Sequence, residues 1–174
     1  HVWDYLFDEQ GKGIWMDFDR RDIVPFKRYE VVGVPDGYTF NLGGDYEVEL
    51  IWLPGHSAGH AAYLDKKSRN LIASDAIIGM RIGIRGAVVA YRNEMVKLSQ
   101  RMDEFDHIFP GHFVYDLENY VIADLAKAAE AIVADSQGYS YAETAQTPAG
   151  VVTRYQKFVP GLGTLAYTEN AVRG

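Results

Sequence analysis

Leu53-Pro54-Gly55-His56-Ser57-Ala58-Gly59-His60 sets two imidazoles at i and i+4 in a stretch too rich in glycine and proline to form a helix. Histidine is the commonest metal ligand among side chains, and the glycine before His56 lets the backbone turn sharply enough to aim one ring into a site. Two later stretches end in the same way. Ser74-Asp75 closes the apolar run Leu71 to Ala73, and Phe109-Pro110-Gly111-His112 closes another. Three strand ends, each finishing in His or Asp, are expected to converge.

The residues around these ends read as strands first. Tyr46, Val48, Leu50 and Trp52 alternate with Glu47 and Glu49, the period-two pattern of a half-buried strand, and that strand delivers His56. Ala61 to Leu64, the polar turn Asp65 to Asn70, and Leu71 to Ala73 form a hairpin whose second arm delivers Asp75. Ile14 to Phe18 and Tyr29 to Val34 are shorter strands, with Pro35-Asp36-Gly37 a turn before Tyr38-Thr39-Phe40 and Asn41 to Asp45 another. Val88 to Met102 reads as a helix and Asp106 to Phe109 as the strand that ends at His112. Asp116 is placed as the N-cap of the clearest helix, in which Leu117, Tyr120, Val121, Leu125, Ala128, Ala129, Ile132 and Val133 share a face before Gly138 stops it. A Tyr/Thr/Ala-rich connection follows. Val151 to Val159 is helix or strand, and Gly163 to Tyr167 is a final strand.

Pro-Gly-His-Ser-Ala-Gly-His, then Ser-Asp, then Pro-Gly-His after one helix, in that order, resemble the second half of the metallo-β-lactamase fold family of metal-dependent hydrolases. The resemblance runs from about residue 36 to the C-terminus, and its strength lies in three motifs falling in sequence. It implies an α/β chain forming the second half of an αββα sandwich, with mixed sheets flanked by helices. It also implies that His56 ligates one metal, that Asp75 bridges two metals as the catalytic carboxylate, and that His112 ligates the other. His60 is implied to support the site by hydrogen bonding, while His107 reads as a structural or surface residue and His1 as incidental.

One departure matters more than these matches. The family's first metal motif, H-x-H-x-D-H, is absent: the histidines stand at 1, 56, 60, 107 and 112, and no two are separated by a single residue. Residues 1–174 are therefore expected to be one such domain that is incomplete at its N-terminus. An apolar sheet face is expected to lie bare, to be covered by the missing N-terminal half or by a symmetric neighbour.

Composition narrows the chemistry. The 174 residues are 48% hydrophobic, enough for a real core. With 17 basic against 24 acidic residues, net −7 and no long basic run, a nucleic-acid backbone is not the expected partner, and a small-molecule substrate is. The absence of cysteine excludes disulfides, thiolate metal sites and cysteine nucleophiles, so a metal would be held by nitrogen and oxygen. No apolar run is long enough to span a membrane.

Metal hydrolysis needs a cation with N/O ligands and an open position, which lowers the pKa of bound water to about 7. Two ions roughly 3.5–4 Å apart can share that nucleophile, and a carboxylate between them offsets part of their repulsion. The resemblance implies zinc, two ions in the complete domain, with iron or manganese as alternatives. The expected activity is hydrolysis of an ester, thioester, lactone, amide or β-lactam-type bond, with this chain inactive by itself. The alternative is a catalytically dead half-domain serving as a scaffold or binding module. Arg81, Arg85 and Arg92 follow Asp75 and could clamp a carboxylate or phosphate, although solvated surface positions are their default. Tyr63, Tyr91 and Tyr115 are candidates to line a pocket, with core or surface roles as the default.

Overall fold

Alternation in the middle of the chain builds a sheet of six strands among the residues that the computed structural model describes. That structure describes residues 30–147 and 150–174, with Arg21 and Arg28. The chain divides into two units, His1–Gly33 and Val34–Gly174, and the second is the one described below. The predicted strand at Ile14 to Phe18 lies outside the described residues.

In chain order the elements are β1 (Thr39–Gly43), β2 (Tyr46–Trp52), β3 (Ala61–Asp65), β4 (Asn70–Ser74), β5 (Arg81–Gly83), α1 (Val88–Ser99), β6 (His107–Pro110), β7 (Leu117–Glu118), α2 (Val121–Ala134), β8 (Tyr141–Thr147), β9 (Gly150–Val159) and β10 (Gly163–Tyr167). The first sheet runs β1-β2-β3-β4-β6-β7 and the second β5-β10-β9-β8. Both are mixed: β4 and β6 are parallel in the first, β5 and β10 in the second, and the other pairs are antiparallel. Two mixed sheets with two helices match the expected α/β architecture.

One side of the first sheet is core. Ile51, Leu53, Ala62, Leu64, Leu71, Ala73 and Ile108 are buried there in one cluster with Tyr91, Met95 and Leu98 of α1, and with Ile122, Leu125, Ala129 and Ile132 of α2. The two helices earn their place by spacing, since Val88, Tyr91, Met95 and Leu98 recur at three and four residues, the period of one helix face. Ile82 and Leu165 extend the same cluster into the second sheet.

Among the described residues, the other side of the first sheet is apolar and partly exposed. Leu50, Tyr63, Ile72 and Phe109 stand opposite one another across β2, β3, β4 and β6. Tyr63 is 39% exposed, Ile72 47%, Phe109 37% and nearby Trp52 45%. The alternation read in β2 therefore has its apolar face away from the helices. Glu49 faces the helix side because Arg101 meets it there with two hydrogen bonds of 2.8 Å.

Several local expectations are corrected. Glu30 to Val34 form no strand: among the described residues none pairs with them, and Val31 and Val32 are exposed. Asp116 does not cap α2. Its carboxylate accepts from His107 at 2.9 Å, Leu117–Glu118 pair with β6, and the helix begins four residues later at Val121 with no side-chain cap. The Tyr/Thr/Ala-rich connection is β8, an outer strand whose alternation is masked by short polar residues. Val151 to Val159 is strand throughout, and Arg81 to Gly83 is a strand that the sequence does not reveal, too short to show a period.

Candidate functional site

Topology brings the three predicted donors to one edge. β2 is antiparallel to β3, and β3 to β4, so β2 and β4 finish in the same direction, and β6 runs parallel to β4 beside it. His56, Asp75 and His112 all follow the C-terminal ends of these strands. The ends are tied directly, since the Gly111 N–H donates to the Ser74 carbonyl at 3.1 Å.

Asp75 lies between two imidazoles. Its Oδ2 is 3.8 Å from His56 Nε2 and its Oδ1 is 3.2 Å from His112 Nε2. Each carboxylate oxygen is thus assigned to a different ring. His56 is oriented by its other nitrogen, 2.9 Å from the Gly83 carbonyl of β5. A ring fixed through Nδ1 presents Nε2, the arrangement that second partners of metal-ligating histidines impose.

His60 stands just behind. Its Nε2 is 3.2 Å from both the Ala73 carbonyl and the Ala76 N–H, the two sides of the turn that carries Asp75. One tautomer donates to the first and the other accepts from the second, so the ring braces the turn in either form. Ser74 within that turn has φ of 46°, a left-handed conformation that costs a non-glycine residue energy and persists where surrounding contacts hold it.

The residue that sequence reasoning left in the core is Tyr91 of α1. It is fully buried, its hydroxyl donates to the Ala76 carbonyl at 2.9 Å, and its ring fills the space where a Cβ on Gly55 would lie. Burial raises its pKa, which keeps the phenol protonated and donating. Gly55, at φ 144°, is required by both its conformation and this close approach. One tyrosine therefore touches the loop of His56 and the turn of Asp75. Nothing local in the sequence separates it from the chain's eleven other tyrosines. Gly111 is constrained by space alone, for a Cβ there would fall on Asp75 Oδ1.

The remaining candidates disperse. Arg81 pairs with Glu143 at 2.6 Å and Arg92 with Glu130, on the second sheet and on α2 respectively. Tyr63 lies on the bare face and Tyr115 is 95% exposed. His107 pairs with Asp116 on the surface. Arg85 lines an open cavity of about 570 Å³ beside His56, which Arg81 and Arg154 also line and Arg92 does not.

The donor set fits part of a metal centre and not a whole one. Among the described residues no group of three or more His, Asp or Glu is disposed to hold an ion. A tetrahedral zinc needs four ligands, or three and a water, and two imidazoles sharing one carboxylate fall short of that for each of two ions.

No protein-family model matches the chain, and no curated protein does. Solved structures of the metallo-β-lactamase superfamily are similar to it over part of their length. A metallo-β-lactamase family protein of Thermus thermophilus is 22% identical with a TM-score of 0.42, over 63% of this chain and 36% of that one. An archaeal superfamily protein of Sulfolobus tokodaii is 18% identical at 0.42, over 71% and 53%. A metallo-β-lactamase of Pseudomonas aeruginosa in its mono-zinc form is 13% identical at 0.44, over 60% and 47%. The chain spans between about a third and just over half of these proteins' lengths.

Proposed function

We propose that this chain carries the Asp75 side of a metal-dependent hydrolase centre, with His56 a ligand to one ion, His112 a ligand to a second, and Asp75 bridging them. The observation that carries the reading is the division of the Asp75 oxygens, Oδ2 toward His56 and Oδ1 toward His112. A carboxylate shared in this way suits two cations rather than one. Zinc is the proposed metal, with iron or manganese the alternatives; when bound it would act as a Lewis acid and lower the pKa of a coordinated water. The chain's own residues supply orientation: Gly83 holds His56, His60 braces the Asp75 turn, and Tyr91 ties the two loops.

The other ligands come, in this proposal, from outside the described residues, and the bare face bearing Tyr63, Ile72 and Phe109 supports it. A contiguous apolar face on a soluble protein marks a surface that another layer covers. An N-terminal half or a symmetric neighbour would do so, and the chain alone would show little or no turnover. The proposed substrates are small molecules with an ester, thioester, lactone, amide or β-lactam-type bond. The incomplete donor set favours a second reading, a half-domain without catalysis that serves as a scaffold.

The gene upstream of the His1 codon separates the two, since an in-frame H-x-H-x-D-H motif belongs to the enzyme only. For a protein that includes it, metal analysis and hydrolysis assays with and without a chelator follow. Metal-dependent turnover abolished by Asp75→Ala supports the hydrolase, whereas full activity after Asp75→Ala or indifference to chelation overturns it.

A further inference from the structure

Among the described residues three other than glycine have positive φ: Arg69 at 58°, Ser74 at 46° and Phe113 at 71°. Arg69, in the turn between β3 and β4, is held by Asp106, and Ser74 by Gly111 and His60. Phe113 differs from both. It is an aromatic residue, for which this region of φ is an outlier, and it directly follows His112. The Val114 N–H donates to the His112 carbonyl at 2.9 Å. A hydrogen bond closed over three residues with positive φ at the centre is the rare and strained form of γ-turn.

The turn reverses the choice that hydrophobicity alone would make. Val114 points inward: its methyls occupy the space into which a Cβ on Gly79 would project, which locks the turn to the segment leaving Asp75. Phe113, the larger apolar side chain, is 67% exposed, with its ring centroid 5.7 Å from that of His112. Strain and lost burial both oppose this arrangement. Two of the three strained residues flank predicted donors, Ser74 before Asp75 and Phe113 after His112, and strain of this kind clusters where ligands are held. His112 Nε2 is 3.2 Å from Asp75 Oδ1, so a molecule resting on the Phe113 ring lies beside the candidate centre.

We propose that Phe113 is a binding ledge for an aromatic or bulky alkyl group of the substrate, held outward beside His112 by the γ-turn and by Val114 on Gly79. An aromatic ring offers a large apolar surface and packs offset or edge-on against a second ring. Backbone strain places that ring before the ligand arrives, which lowers the ordering cost of binding. Calling the bound molecule a substrate rests on the hydrolase reading; the apolar site itself does not.

The test titrates the full chain with benzyl alcohol, and with glycerol as the polar counterpart, while the aromatic resonances of Phe113 and His112 are followed by NMR. Saturable shifts at both residues are expected with benzyl alcohol alone, with cross-relaxation from the probe ring to the Phe113 ring. Affinity should fall about tenfold in Phe113→Gly and stay unchanged in Phe158→Ser, which removes an aromatic side chain 61% exposed on β9. Glycine adopts positive φ without strain, so Phe113→Gly is expected to unfold thermally at or above the wild-type temperature. A lower midpoint would mark Phe113 as a packing residue and overturn the proposal. Shifts that do not saturate, equal shifts at Phe158, or binding retained in Phe113→Gly would do the same. In a protein that includes the H-x-H-x-D-H motif, the ratio of kcat/KM for ethyl phenylacetate over ethyl acetate should fall about tenfold in Phe113→Gly. An unaltered ratio with metal-dependent turnover leaves the hydrolase standing and removes the ledge. Saturable binding in a protein that lacks such turnover upholds the apolar site and removes the hydrolase. If the added half silences the response of Phe113 to benzyl alcohol, that half covers the ring and the proposal falls.

Discussion

Ser74 is held at φ 46° immediately before Asp75, and the contacts that hold it converge from three directions: Gly111 on the Ser74 carbonyl, His60 on the Ala73 carbonyl or Ala76 N–H, and Tyr91 on the Ala76 carbonyl. Strain of this kind, of order 1–3 kcal/mol, survives only where neighbours over-determine it. Gly111→Ala should therefore be costly out of proportion to one methyl, since the new Cβ would displace the Asp75 carboxylate. A loss of about 1–3 kcal/mol in chemical denaturation is expected, together with a changed His112 imidazole resonance; an unaltered His112 signal would argue that the two groups are independent. Tyr91→Phe keeps the ring and removes the hydroxyl, leaving the Ala76 carbonyl without its donor at a cost of about 1 kcal/mol. Tyr91→Ala should cost roughly 3–5 kcal/mol by opening a cavity. In an active protein, His60→Ala should reduce metal affinity or turnover roughly 10 to 100-fold, the scale set by partners that orient ligands.

Between the elements, one charged network joins β2, the β3–β4 turn and the end of α1. Arg101 forms two hydrogen bonds with Glu49 and two with Glu104, and Lys66 reaches both carboxylates at 3.0 Å. Hydrogen bonding to Arg101 is the main reason that the Glu104 carboxyl is lowered from 4.5 to about 2. A group held below its unfolded value stabilises the fold above that value and loses its contribution as the pH falls through the folded one. The wild-type midpoint of thermal unfolding should accordingly fall between about pH 4.5 and 2, and Arg101→Gln should make that fall shallower. At pH 7 the same variant should lose on the order of 1–3 kcal/mol, as expected for hydrogen bonds to charged groups. Identical pH profiles for the two proteins, measured by circular dichroism, would remove Arg101 as the cause.

For the whole described unit, the unequal treatment of the two sides of the first sheet is the dominant physical fact. The helix side is dry, with Leu53, Leu64, Leu71 and Ile108 fully buried, whereas Tyr63 and Ile72 on the opposite side are exposed. Exposed faces of this kind self-associate or bind a partner. Tyr63→Lys with Ile72→Lys should leave the fold in place, because neither side chain packs in the core, and should shift sedimentation velocity toward the monomer. Unchanged sedimentation would show that the face does not drive association.

Much of this is legible in the sequence alone. Period-two alternation and the Pro-Gly-His, Ser-Asp and Pro-Gly-His strand ends locate β2, β4 and β6 and nominate His56, Asp75 and His112, because hydrophobic period and turn chemistry are local properties of the chain. The cap at Asp116 and the loop at 141–147 are misread where short or polar segments take their conformation from partners distant in sequence, and the strand expected over Glu30 to Val34 is misread because no described residue pairs with it. Only the tertiary structure assigns the two Asp75 oxygens to different histidines, sets Gly83 behind His56, puts Tyr91 across two loops and turns Arg154 into the cavity. Each of these depends on strand order, and strand order is settled by burial summed over the whole unit, a quantity no short stretch of sequence contains.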